Sequence, residues 1–297
     1  MTVNQFYKQK FGTKVYKLAL NAGCTCPNRD GKIGYGGCIF CNQNGSGDFV
    51  PDFTQSVQIQ IERAKVLVSE KLKSTENPKY IAYFQSFTNT YGNLDVLKKI
   101  WQSALDCKDI VGIAVATRPD CLSDECLKVL GKIAEDRFVQ IELGFQTSNK
   151  KSVKYIRRGY SNDVYFNAVK RIHKAYKNIH VVTHIIFGLP NETKDDMMNT
   201  VLSVVKAGSN GIKITCLYVL KNTDLQKDYE KGFVFPLEMN EYFNLIKEAL
   251  KIIPKKMIIH RIPGDPPKKL LIAPKWTANK KLVLSKINEI LKSYLQF

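Results

Sequence analysis

The stretch Cys26-Pro27-Asn28-Arg29-Asp30-Gly31-Lys32-Ile33-Gly34-Tyr35-Gly36-Gly37-Cys38-Ile39-Phe40-Cys41 decides how this chain is read. Its cysteines are spaced Cys-x11-Cys-x2-Cys on a loop rich in glycine. Three thiolates on one such loop can hold three irons of a cubane [4Fe–4S] cluster, where four cysteines are usual. The fourth iron then keeps an open coordination position, the mark of a reactive site rather than a structural one. The competing reading is a zinc knuckle through Cys24, Cys26, Cys38 and Cys41. Zinc sites favour two Cys-x2–4-Cys pairs, and Cys24-Thr25-Cys26 is too tight for the first of them.

Outward from this loop, strand and helix patterns alternate six times. Strands are predicted over residues 14–20, 80–85, 110–116, 138–143, 180–187 and 212–220. Between them, apolar residues recur at helical spacing, as in Val57, Ile61, Ala64 and Val68. Thr54, Asn93 and Ser123 are the expected helix caps. The stretch 110–116 is apolar on both faces, as parallel strands covered by helices are. A core over residues 13–222 is expected, followed by a C-terminal extension, 223–297, with helices near 239–253 and 280–295 and a short strand near 256–261. In such an architecture the site gathers at the carboxyl ends of the strands.

The chain has 297 residues, 44% of them hydrophobic and 24% charged, enough for a sizeable core. No apolar run approaches the ~18 residues of a membrane span, and the first residues carry no signal-peptide core. Eight cysteines without a paired framework suit a reducing cytosol, so a cytoplasmic protein without a membrane partner is expected. The net charge of +18 is uneven. Residues 1–29 carry Lys8, Lys10, Lys14, Lys17 and Arg29 against no acid, and residues 254–297 carry ten basic residues against Asp265 and Glu289. Two basic ends on a near-balanced middle suggest a polyanion such as RNA.

The Cys-Pro-Asn-Arg-Asp-Gly wording and the eleven-residue spacer resemble the radical S-adenosylmethionine (SAM) enzymes, in particular the YhcC/YtqA-type subgroup. More distantly they are similar to the radical SAM domain of the Elongator catalytic subunit. The resemblance runs from about Leu20 to the C-terminus. It implies an α/β fold, a partial (β/α)6 TIM-like barrel with N- and C-terminal extensions. It implies a [4Fe–4S] cluster on Cys26, Cys38 and Cys41, with Cys24 only a neighbour, and SAM at the open iron.

Carried over residue by residue, the resemblance puts Phe40 beside the adenine. It sets Ser86, Phe87 and Thr88 where relatives have a Gly-Gly-Glu-like segment for the methionyl amino group. Thr117 opens Thr117-Arg118-Pro119-Asp120, with Ala116 where a carboxylate often stands. Glu142 is then the candidate ribose-binding acid, the alternative being a buried acid paired with a base. Gln146 and Arg158 match a strand-then-helix signature in which the arginine forks onto the SAM carboxylate. Arg157 is read as the solvated neighbour. His184 points toward the ribose, ahead of Gly188-Leu189-Pro190 on the adenine side. No catalytic residue is singled out.

The activity so implied is generation of a 5′-deoxyadenosyl radical after reduction by a one-electron donor such as flavodoxin or ferredoxin. Some YtqA-type members are linked to the transfer RNA (tRNA) wobble uridine, converting a carboxymethylaminomethyl to an aminomethyl group ahead of a tRNA methyltransferase. A radical enzyme on a small metabolite, and a non-catalytic zinc-stabilised RNA-binding protein, remain open alternatives.

Overall fold

In a computed structural model of the chain, residues 1–43, 45, 50–73 and 75–296 are described. Six parallel strands follow the predicted alternation: β1 (Val15–Leu20), β2 (Lys79–Phe84), β3 (Ile110–Thr117), β4 (Phe138–Gln146), β5 (His180–Phe187) and β6 (Gly211–Cys216). The sheet curls into a half-barrel, its outer face covered by α2 (Val57–Ser69), α3 (Leu94–Leu105), α4 (Asp124–Asp136), α6 (Asn162–Ala175), α7 (Lys194–Ala207) and α9 (Met239–Ile252). The short helix α5 (Lys150–Tyr155) follows β4.

The helices start where short polar side chains satisfy the first free N–H groups. Asn93 accepts from the amides of Asp95 and Val96, and Ser123 from that of Cys126, both as expected. The helix predicted to start at Thr54 is instead capped by Ser56, whose Oγ accepts from Ile59.

The predicted sixth strand is in fact two. β6 ends at Cys216, and β7 (Val219–Leu220) turns out of the sheet to pair antiparallel with β9 (Leu271–Ala273). A seventh sheet strand comes from the C-terminal segment. β8 (Ile258–Arg261) lies parallel to β6, giving the order β1-β2-β3-β4-β5-β6-β8. The remaining helices are α1 (Val3–Phe11), α8 (Asp224–Glu230) and α10 (Lys280–Gln296), the last packed on α9.

Helix α1 closes the lower end of the half-barrel. Tyr7 packs with Val15, Ile81, Ala114 and Phe138, and Phe6 stacks on His180 with centroids 4.9 Å apart. Met1 O accepts from Ile259 N at 3.0 Å, so the N-terminus covers the outer edge of β8.

The inner sheet face is not apolar throughout. Above the α1 plug, alternate residues of five strands place Lys17, Tyr83, Glu142, His184 and Lys213 in one polar layer. Higher still, Ala19, Ala116, Gly144, Ile186 and Thr215 are partly exposed while their outward neighbours are buried. The lumen is therefore partly exposed toward the carboxyl ends of the strands, lined there mostly by small side chains and floored by ionisable ones.

Candidate active site

The cysteine loop leaves the carboxyl end of β1. Its first turn is closed by Arg29 N and Asp30 N on Cys26 O, and Gly37 N returns to Asn28 O at 2.8 Å. Gly36 and Gly37 both sit at left-handed φ (78° and 81°), a double turn that side-chain-bearing residues resist. A Cβ on Gly37 would also meet the Arg29 side chain at 3.2 Å. That turn swings Cys38 back beside Asn28, whose Nδ2 lies 3.6 Å from Cys38 Sγ. Arg29 ties the loop down, donating to Asn42 O at 2.6 Å and lying over the Phe87 ring at 5.3 Å.

The three thiols influence one another. The Cys38 thiol is drawn down to about 7, first by a hydrogen bond from Cys41 and then, against burial, by Arg118, Asn28 and Arg157. Cys41 is held well above the ordinary thiol range by that bond to Cys38, by burial and by the charges of Cys38 and Cys26. Cys24 stands apart, packed against the main core, its thiol pushed up to about 11 by burial. Among the described residues, no three Cys, His, Asp or Glu side chains converge to hold a single metal ion. A cubane places different demands on its loop, one thiolate per iron.

The end of β2 lies against this loop through Thr88 N on Thr25 O at 3.1 Å. Here Ser86 Oγ, Thr88 Oγ1 and Asn89 Oδ1 are buried without a hydrogen-bond partner. Ser86 and Phe87 are held at positive φ, 73° and 54°. Unsatisfied buried polar atoms and strained non-glycine backbone both call for an explanation, and a polar ligand beside the cysteines supplies one. The donor set therefore fits a cluster with SAM against the 86–89 segment.

Other predicted residues divide. Phe40 is partly buried, packed on the cluster containing Ile39, Ile156 and Leu189. Gln146 ends β4 at φ 61°, after a register shift at Gly144, and is partly exposed.

Three expectations need correction. The Arg158 fork is already engaged: its N–H groups donate to Phe145 O, Thr147 O, Tyr160 O and Asn162 Oδ1 at 2.7–3.1 Å. All five donors point to protein acceptors, which leaves none for a cofactor carboxylate. Glu142 is likewise saturated. Its Oε1 accepts from Lys17 (2.6 Å) and Gln140 (2.5 Å), and its Oε2 from Tyr83 (2.7 Å), His184 (2.7 Å) and Lys213 (2.5 Å). Burial pushes this carboxyl up, but Lys17, Lys213 and His184 outweigh it and hold it well below the usual range. It is a hub and not a ribose ligand. Thr117 faces away from the lumen, its hydroxyl 2.5 Å from that of Thr90.

His184 is placed between roles, its Nε2 on Glu142 and 30% of its side chain open to the lumen. Burial, with Lys213 beside it, pushes it down to about 4 against the pull of Glu142. Reading the sequence missed Asn28, Asn89, Lys17, Tyr83 and Lys213. The signal for the last three was a lone polar residue at an inward position of an otherwise apolar strand. The expected N-terminal basic patch also shrinks. Lys17 is inside, Arg29 holds the loop, and Lys8 and Lys10 ride on α1 at the end of the barrel opposite the cysteines. A cavity of about 550 Å³ between α9 and α10, lined by Leu250, Ile253 and Tyr294, is remote from all this chemistry.

The model of the radical SAM superfamily matches residues 24–204, and that of the radical SAM C-terminal domain matches 209–293. The chain belongs to the radical SAM superfamily. It is 42% identical to YtqA of Bacillus subtilis over 292 residues, 98% of this chain and 89% of YtqA. A 95-residue stretch, 32% of this chain and 20% of the other, is 32% identical to the tRNA-2-methylthio-N(6)-dimethylallyladenosine synthase of Finegoldia magna. The Elp3 structure from Methanocaldococcus infernus superposes with a TM-score of 0.68 at 17% identity, covering 93% of this chain and 63% of that one, so the fold is shared. As a radical SAM enzyme, the chain takes its half-barrel and three-cysteine loop from the superfamily. No described helix is long and apolar enough to cross a membrane.

Proposed function

We propose that this radical SAM enzyme modifies the 5-position side chain of the tRNA wobble uridine, converting carboxymethylaminomethyl to aminomethyl. When bound, a reduced [4Fe–4S] cluster with SAM supplies a 5′-deoxyadenosyl radical able to abstract hydrogen from an unactivated carbon. The protein's own part is positioning. Cys26, Cys38 and Cys41 would hold the cluster, and Ser86, Phe87, Thr88 and Asn89 would orient the methionyl end of SAM. Phe40 and Gln146 would flank the nucleoside, and the small-walled lumen would admit a slender substrate side chain while excluding water. Flavodoxin or ferredoxin would reduce the cluster, and a tRNA methyltransferase would finish the base.

The observation that carries the nucleic-acid reading is where the C-terminal charge sits. Gly264 O accepts from Tyr218 Oη at 2.5 Å, and a Cβ on Gly264 would meet Thr215 at 3.3 Å, so the turn 263–269 lies on the lumen rim. Lys268 and Lys269 are exposed there. Two lysines on one turn beside the chamber suit a phosphate backbone that presents one base to it. The tRNA-acting relative over 95 residues agrees with this reading. Mass spectrometry of tRNA nucleosides from cells lacking the gene tests it. Accumulation of the carboxymethylaminomethyl nucleoside is expected, and an unchanged wobble profile overturns the proposal. Binding of tRNA should weaken steeply with salt.

A further inference from the structure

The lumen floor gathers two lysine amines onto one carboxylate. Lys17 and Lys213 both donate to Glu142, and among the described residues neither ammonium has another hydrogen-bond acceptor. Each keeps N–H groups that Glu142 cannot take, since its two oxygens already receive donors from Gln140, Tyr83 and His184. Two lysines share one carboxylate in a recess where Lys213 is 9% exposed and Lys17 is 18% exposed, and burial brings Lys213 down to about 7, so the second positive charge is only partly held there. A second positive charge in such a recess is costly, and an arriving counter-charge would hold Lys213 protonated. The ring above is Ala19, Ala116, Gly144, Ile186 and Thr215, with three of its five positions occupied by alanine or glycine.

We propose that this floor is an anion subsite, in which Lys17 and Lys213 take a terminal carboxylate of the substrate. A monoanion matches the single charge by which two protonated lysines exceed Glu142. A backbone phosphodiester carries ribose on both sides and does not reach the base of a recess, whereas an unbranched side chain ending in a carboxylate does. The subsite rests on the reading of the lumen as the reaction chamber and deepens it. It would select the carboxylate-bearing form of a substrate over the form that lacks it, and hold the intervening carbons at a fixed depth.

The test uses the reconstituted full-length protein and ligand-observed NMR with propionate, its neutral isostere propionamide, and inorganic phosphate. Propionate is expected to bind roughly 10-fold or more tightly than propionamide, the scale of about 1.4 kcal/mol for one ion pair. Lys213→Met should erase that preference, while Glu142→Gln, which removes the competing charge, should tighten propionate. Lys17→Met serves as the second loss variant if Lys213→Met does not fold, with circular dichroism melts as the check. Equal binding of acid and amide overturns the proposal. So does a shift in the same direction for Lys213→Met and Glu142→Gln, the pattern of plain structural damage. Phosphate binding as tightly as propionate, with the same sensitivity, overturns the carboxylate assignment. These measurements need no tRNA, so failure of the subsite and failure of the tRNA reading are distinguishable.

Discussion

Asn28 and Arg157, 129 residues apart, meet at the cysteine loop: Asn28 Nδ2 donates to Arg157 O at 2.5 Å while lying 3.6 Å from Cys38 Sγ. One amide thereby fixes the loop to the turn after α5 and presents an N–H group toward a sulfur. Asn28→Ala removes both contacts. It should cost about 1–2 kcal/mol of stability and lower the iron and sulfide retained after anaerobic reconstitution. Wild-type iron content in Asn28→Ala would show that the loop organises itself without this residue.

The cysteines divide by surroundings. Cys38→Ala, Cys26→Ala or Cys41→Ala should each abolish the brown chromophore and 5′-deoxyadenosine formation. Cys24→Ala, at a side chain packed against the core, should keep both. Iron analysis and product chromatography decide the matter, and equal loss in all four would return the zinc-type ligand set to consideration.

Arg158 is 1% exposed and bridges β4 to the start of α6. Removing it strands several buried carbonyls. Arg158→Ala should therefore lose about 3 kcal/mol or more, read as a large drop in melting temperature. Arg158→Lys should recover little, because one ammonium cannot replace a planar fork. A normal melt combined with weaker SAM binding would restore the cofactor role that the spacing suggested.

His180 and His260 face each other at the bottom of the barrel, Nε2 to Nε2 at 2.9 Å, each 8% exposed. The pair needs one donor and one acceptor, so the two rings cannot both be protonated in the fold. Burial pushes His180 down to about 3 and His260 well below its ordinary value. The unfolded chain binds these protons near pH 6.5 and the folded chain does not, so their contribution is intact above that pH. It falls as acid is added from about 6.5 toward 3. The slope should approach about 1.4 kcal/mol per pH unit for each histidine. Urea unfolding at pH 7.5, 6 and 5 measures it, and His260→Gln should flatten the dependence.

The βα alternation was legible because each unit's apolar periodicity and cap lie within some twenty residues, as with Asn93 and Ser123. The cysteine loop was legible because its chemistry is local. What escaped depends on residues distant in the chain. Ile258–Arg261 is too short to declare a partner, and only the crossover through α9 brings it beside β6. The lumen floor draws single residues from five strands. The spacing of Gln146 and Arg158 was visible, but the bend at Gln146 that aims the carbonyls of Phe145 and Thr147 at the guanidinium was not.

Glu142 has one further consequence. Helices press on the sheet from outside, but on the inside five side chains are gathered onto a single carboxylate, much as a drawstring closes a pouch. Shortening that cord by one carbon–carbon bond, about 1.5 Å, as in Glu142→Asp, would force strands to draw inward or donors to let go. One side chain thus ties together, from within, strands that the ladder of backbone bonds joins only to their neighbours.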